Sequence, residues 1–81
     1  MLRGSSNMKR DSVLSNRIGP LASIRQLNDG DLARLCGLSR AHVNRIKNGR
    51  TIPRVDTALA IARALRHRVR DVFWLSELPR T

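Results

Sequence analysis

Arg40, Ala41, Asn44, Arg45 and Asn48 stand at i, i+1, i+4, i+5 and i+8, which on a helix is one continuous strip. Guanidinium and carboxamide groups can each form paired hydrogen bonds in a fixed geometry. Arginine matches O6 and N7 of guanine, asparagine matches the edge of adenine, and a small alanine can touch a thymine methyl group. Ser39 lies at the edge of the same set. The chemistry implied is the reading of base edges rather than the making of bonds.

Other reactive residues support little chemistry. Cys36, His42 and His67 lack the spacing of metal ligands, and no metal or cofactor is expected. Ser39, His42 and Asp31 could be imagined as a hydrolytic set. Ser39 already has a helix to cap, however, and the sequence shows no oxyanion-hole motif or glycine-rich phosphate loop. The chain is therefore not expected to be an enzyme.

Charge favours a polyanionic partner. The 81 residues carry 16 Lys plus Arg against 6 Asp plus Glu, a formal net charge of +10. Between Leu32 and Val55 there is no acid, while Arg34, Arg40, Arg45, Lys47, Arg50 and Arg54 all fall there. A merely solvated helix face mixes signs. The single cysteine excludes an intrachain disulfide and fits a reducing cytoplasm. No run approaches the ~20 apolar residues of a membrane span, and no signal-peptide segment is visible.

The positioning elements read as helices. Residues 1–10 form a polar tail expected to be disordered, in which Met8 before Lys9-Arg10 is a candidate natural start. A first helix is signalled near Pro20–Gln26, with Leu21, Ile24 and Leu27 inward. Asn28 then caps a helix whose first turn carries Asp29 and Asp31 and whose apolar stripe is Leu32, Ala33, Leu35 and Cys36. Gly37 ends it, and Ser39 caps the next helix, anchored by Leu38, Val43 and Ile46 and stopped at Gly49. A loop, Arg50–Arg54, leads to a fourth helix over Val55–Leu65, with Val55, Ala58, Leu59, Ile61, Ala62 and Leu65 at helical spacing. A last helix is expected over Val69–Glu77, with Val69, Val72 and Phe73 inward and Pro79 closing it.

Ala33 allows a close helix crossing, and Gly37 four residues later supplies the turn. Together with the apolar anchors, these are the parts of a helix-turn-helix. LNDGDLARLCGLSRAHVNRIKNGRTIP followed by VDTALAIARALRHRVRDVF resembles the phage-repressor and Cro-type (XRE-like) helix-turn-helix family, over about Ile18 to Phe73. The resemblance implies base contacts from the start of the recognition helix: Arg40 and Ala41, with Arg45 a turn on. It implies phosphate contacts from Asn28, Asn48, Arg50 and Arg54. The chain departs from the family at five places, one of them Gly30, a poor helix former in the first turn of the helix that Asn28 caps. Asp29 replaces a common glutamine, leaving it to pair with Arg40 or to serve the helix dipole. Gly19-Pro20 interrupts the usual long first helix, Arg54 replaces a capping Ser or Thr, and Arg66 sits where glycine is common.

The expected architecture is all-α, a compact five-helix bundle of the lambda-repressor-like kind, with residues 11–78 as the domain and 79–81 a tail. The expected function is a cytoplasmic, sequence-specific regulator of transcription, a repressor acting as a homodimer on near-palindromic double-stranded DNA. Trp74, Leu75 and Leu78 are candidate dimer contacts, since aromatic residues are enriched at interfaces; Val13 and Leu14 could join them. Two rival readings stay open. One is an antitoxin or protein-interaction module that engages its partner through the C-terminal helix. The other, suggested by the ending RVRDVFWL, is the DNA-binding segment of a larger ligand-sensing regulator.

Overall fold

A computed structural model describes residues 12–77. The order is β1 (Ser12–Asn16), α1 (Ile18–Ile24), α2 (Asp29–Cys36), α3 (Arg40–Lys47), α4 (Val55–Leu65), α5 (Val69–Val72) and β2 (Phe73–Glu77). The five helices are as many as expected, but the all-α expectation is corrected. β1 and β2 pair antiparallel, with Leu14 opposite Leu75, Ser15 opposite Trp74 and Asn16 opposite Phe73. The expected last helix, Val69–Glu77, is helical only to Val72 and then becomes a strand. Phe73, Trp74 and Leu75 suit an extended strand, where large rings pack on a pleated surface. Arg17 N–H donates to the Val72 carbonyl at 2.9 Å and closes the sheet onto the helices.

α1 begins two residues before Pro20, so Gly19 and Pro20 occupy its first turn. The N–H that proline lacks would have had no intrahelical partner there. The helix ends at Ile24 rather than Gln26, and Gln26 adopts a φ of 59°.

The core gathers one face of every helix. Ile18, Leu32, Val43, Ile46, Ile61, Leu65 and Val72 are essentially inaccessible, and Ala22, Ala33, Ala62 and Phe73 close the gaps. Full burial of each large aliphatic side chain contributes about 1.5–3 kcal/mol. Cys36, Leu27, Leu38, Ala58, Leu14 and Leu21 pack on the periphery of this cluster. Four residues expected to face inward do not: Ile24, Leu35, Val55 and Leu59 are exposed. Each sits on the shoulder of an apolar arc wider than the surface its neighbours cover.

The turn between α2 and α3 is built as its residues dictate. Gly37 takes a φ of 71°, a left-handed conformation open to glycine, and Leu38 N–H donates back to the Ala33 carbonyl at 2.9 Å. α4 ends on the same conformation at Arg66, φ 59°, without glycine's freedom. Arg54, at the N-terminal cap of α4, makes no side-chain capping bond.

Candidate nucleic-acid interface

α3 is held from both ends and from beneath. Ser39 Oγ accepts from His42 N–H at 3.0 Å and caps its start. Val43 and Ile46 are buried, which turns Arg40, Ala41, Asn44, Arg45 and Asn48 outward, all exposed. Among the described residues none of Arg40, Arg45 or Arg50 is ion-paired, so their charge is uncommitted. Asn48 is the C-terminal cap of α3, and Arg50 and Arg54 follow it on the exposed loop.

α2 meets this helix through its own first turn. Asn28 Oδ1 accepts from Asp31 N–H at 2.8 Å, and Asp31 Oδ2 accepts from Asn28 N–H at 3.1 Å. This reciprocal capping box fixes the start of α2 beside α3. The Asn28 side-chain NH2 makes no hydrogen bond among the described residues, so it stays available to an acceptor such as a phosphate oxygen. Asp31 is further engaged by Arg34 at 2.7 Å.

Asp29 does not pair with Arg40; it stands in the first turn of α2, where a carboxylate suits the helix dipole, and is engaged from α3 as well. Its carboxylate lies 2.8 Å from Lys47 Nζ and accepts from Asn44 Nδ2 at 3.1 Å, both on α3. Asn44 Oδ1 in turn accepts from Asn48 Nδ2 at 3.1 Å. The Lys47 and Asn44 hydrogen bonds hold the Asp29 carboxyl below the usual carboxylate range, against a small opposing effect of burial. Arg40 adds only a weak electrostatic pull. The carboxylate thus braces α3, and Lys47 cancels its charge at the edge of the basic face. Asn44, a candidate base reader, has both ends of its amide committed to this network.

Two residues that position the site carried no sequence-level assignment. Lys47 is one; only the crossing of α2 over α3 brings it to Asp29. Asn16 is the other. Its Nδ2 donates to the Ile46 and Lys47 carbonyls, each at 3.3 Å, and its Oδ1 accepts from Ile18 N–H at 3.0 Å. One side chain therefore ties β1, the start of α1 and the end of α3 together. No sequence signal marked Asn16, because neither β1 nor the start of α1 at Ile18 was legible in the residue pattern.

The remaining candidates lie apart. Trp74 and Leu75 are on β2, not on a helix; Leu75 is exposed, while Trp74 is half-buried with the Arg17 guanidinium 4.7 Å from its ring centroid. That cation–π contact covers the indole face within the chain itself. Leu78 lies outside the described residues, as do the expected tails at 1–10 and 79–81. Cys36, half-buried, has its thiol pushed up by burial, and His67 Nδ1 lies 2.8 Å from the Leu65 carbonyl oxygen. Among the described residues no three His, Cys, Asp or Glu side chains gather as a metal site would require.

A family model described as helix-turn-helix, of the Cro/C1 (XRE-like) type, matches residues 22–68, more than half of the chain. The chain belongs to the Cro/C1-type helix-turn-helix family. The matched span runs from α1 to the turn after α4, so it includes the caps, the glycine turn and all of α3. At the level of this helix-turn-helix family the chain is a DNA-binding regulator of transcription that engages the double-stranded form. No curated protein sequence gives a significant match. Among the described residues no helix is long and apolar enough to cross a membrane.

Proposed function

We propose that this helix-turn-helix protein is an intracellular repressor that binds a near-palindromic operator as a homodimer. Each copy inserts α3 into the major groove, on half-sites about one helical turn, roughly 10 bp, apart. Arg40, Ala41 and Arg45, with Ser39 at the edge, read base edges. Asn44 joins them only by exchanging its bonds to Asp29 and Asn48 for bonds to a base. Asn28, Asn48, Arg50 and Arg54 hold phosphates, which position the helix without selecting sequence. Residue type alone offers Trp74, Leu75 and Leu78 as dimer contacts, but the Trp74 indole face is already covered by Arg17, which leaves the dimer surface open to another element. Repression follows if the occupied operator blocks polymerase.

The observation that carries this reading is the pairing pattern of α3. Its outward arginines, Arg40 and Arg45, are uncommitted, while the one carboxylate that reaches the helix is neutralised by Lys47. A face meant only for solvent gains nothing from sequestering its acid in this way.

The test compares Arg45→Ala with Arg50→Ala on a preferred duplex and on random duplexes. Arg45→Ala is expected to cost about 1–3 kcal/mol on the preferred site and little elsewhere. Arg50→Ala is expected to weaken both equally and to reduce the salt slope by about one. Equal losses on both DNAs for both variants would remove the assignment of reading and holding roles.

A further inference from the structure

We infer that the outer face of α4 is where a second copy of this chain docks. The inference rests on the homodimer reading above but chooses a different surface from the one the residue types at β2 suggest. α4 buries Ile61, Ala62 and Leu65, and on the opposite side presents a shallow groove lined by Asp56, Leu59, Ala60 and Arg63. These four stand at i, i+3, i+4 and i+7, the spacing of a helix–helix seam two turns long. Leu59 in the groove and Val55 one turn before it are exposed by 52 and 77%, and Ile52 on the preceding loop by 78%. Val55 and Leu59, four residues apart on α4, fall on the same side of the helix and are more than scattered surface apolarity.

The charge pattern says which partner fits. Asp56 and Arg63 are equidistant from the midpoint between Leu59 and Ala60. When two such helices cross antiparallel about a twofold axis at that midpoint, Asp56 of each faces Arg63 of the other. Leu59 of each then faces the small Ala60 of the other, large into small. A twofold interface requires this self-complementarity; a foreign partner does not. Asp56 is also the only acid between Leu32 and Arg70. Its carboxylate accepts from Thr57 N–H at 2.9 Å, but among the described residues its nearest cationic partner is a loose one, Arg54 Nε at 3.7 Å, with both side chains well exposed. Among the described residues Arg63 has no carboxylate partner.

Four lining residues a side fall well short of the roughly 20–30 a side of a standard interface, so the free dimer is weak and in reversible exchange with monomer. α4 follows the loop that carries Arg50 and Arg54. A seam on α4 therefore lies next in the chain to the proposed phosphate contacts.

Sedimentation equilibrium of the full chain, carried to several hundred micromolar, tests this without DNA. The wild type is expected to show a monomer–dimer equilibrium. Asp56→Arg and Arg63→Asp, each alone, place like charges across the seam and should raise the dissociation constant tenfold or more. An equimolar mixture of the two variants should recover the dimer, because every cross-seam pair is then opposite in sign. Leu75→Glu should leave the dimer intact. A wild type monomeric throughout, single variants that dimerise normally, or a mixture that stays monomeric would overturn the inference; so would loss of the dimer with Leu75→Glu alone, which would assign the contact to β2. The DNA-binding reading fails separately, if wild-type chain shows no salt-dependent affinity for duplex DNA.

Discussion

Replacing Asp29 with asparagine separates bracing from charge. The side chain keeps its size, loses the ion pair to Lys47 at 2.8 Å, and retains an oxygen that can accept from Asn44. The Asp29 side chain is about a quarter exposed and that of Lys47 about a third, so solvent discounts the pair to the upper end of the ~0.2–1 kcal/mol seen for exposed ion pairs. Loss of a carboxylate from the first turn of α2 adds a few tenths more. The expected destabilisation is about 1 kcal/mol at neutral pH, read as a lower urea midpoint at unchanged m-value. Its pH dependence has a definite sign. The folded-state pKa of Asp29 is lowered, so its contribution is fully present above the ordinary value of 3.8 and lost as pH falls through the folded value. Wild type and Asp29→Asn should therefore converge in stability in acid. DNA binding should move the other way. Freed from its partner, Lys47 becomes available to a phosphate, steepening the salt slope by about 0.9 per copy and raising affinity for random duplex. Discrimination between preferred and random duplex should fall, because α3 loses a brace. Equal stability at neutral pH together with an unchanged salt slope would refute this account of Asp29.

Three further outcomes follow from the same geometry. Asn16→Ala removes two bonds to the carbonyls at the end of α3 and one from Ile18 N–H, and should cost about 1–2 kcal/mol in denaturant titration. Arg66→Gly relieves a left-handed residue at the end of α4, and should stabilise by about 0.5–1 kcal/mol net of the glycine's greater unfolded freedom. In calorimetry that corresponds to a rise in Tm of a few degrees. Gly37→Ala has open space for its methyl group but a φ of 71°, and should destabilise by about 1 kcal/mol through backbone strain alone.

The helix-turn-helix was legible because its punctuation is local. Asn28, Gly37 and Ser39 each act on backbone groups within four residues, and the capping bonds and the left-handed turn occur where they were expected. The sheet was not legible for the opposite reason. Each strand is five residues long, and Asn16 meets Phe73 across nearly the whole chain, with no tight turn to announce the pairing. Periodicity identified the apolar arc of α4 but not which part of it the core would cover, so Val55 and Leu59 were read as buried. The Asp29–Lys47 pair was hidden for another reason: it depends on the crossing of two helices rather than on sequence spacing. Arg54 and Arg66 behave as their departures from the family pattern implied, one leaving α4 without a side-chain cap and the other holding a left-handed backbone.

The central claim is that α3 reads base edges, and selection of bound duplexes from a random pool tests it most directly. Wild-type chain should enrich one near-palindromic motif whose half-sites are about one helical turn apart. The same selection with Arg45→Ala should relax the motif at a single position in each half-site, leaving its spacing intact. No enriched motif from the wild type, or an identical motif from both proteins, would contradict the claim.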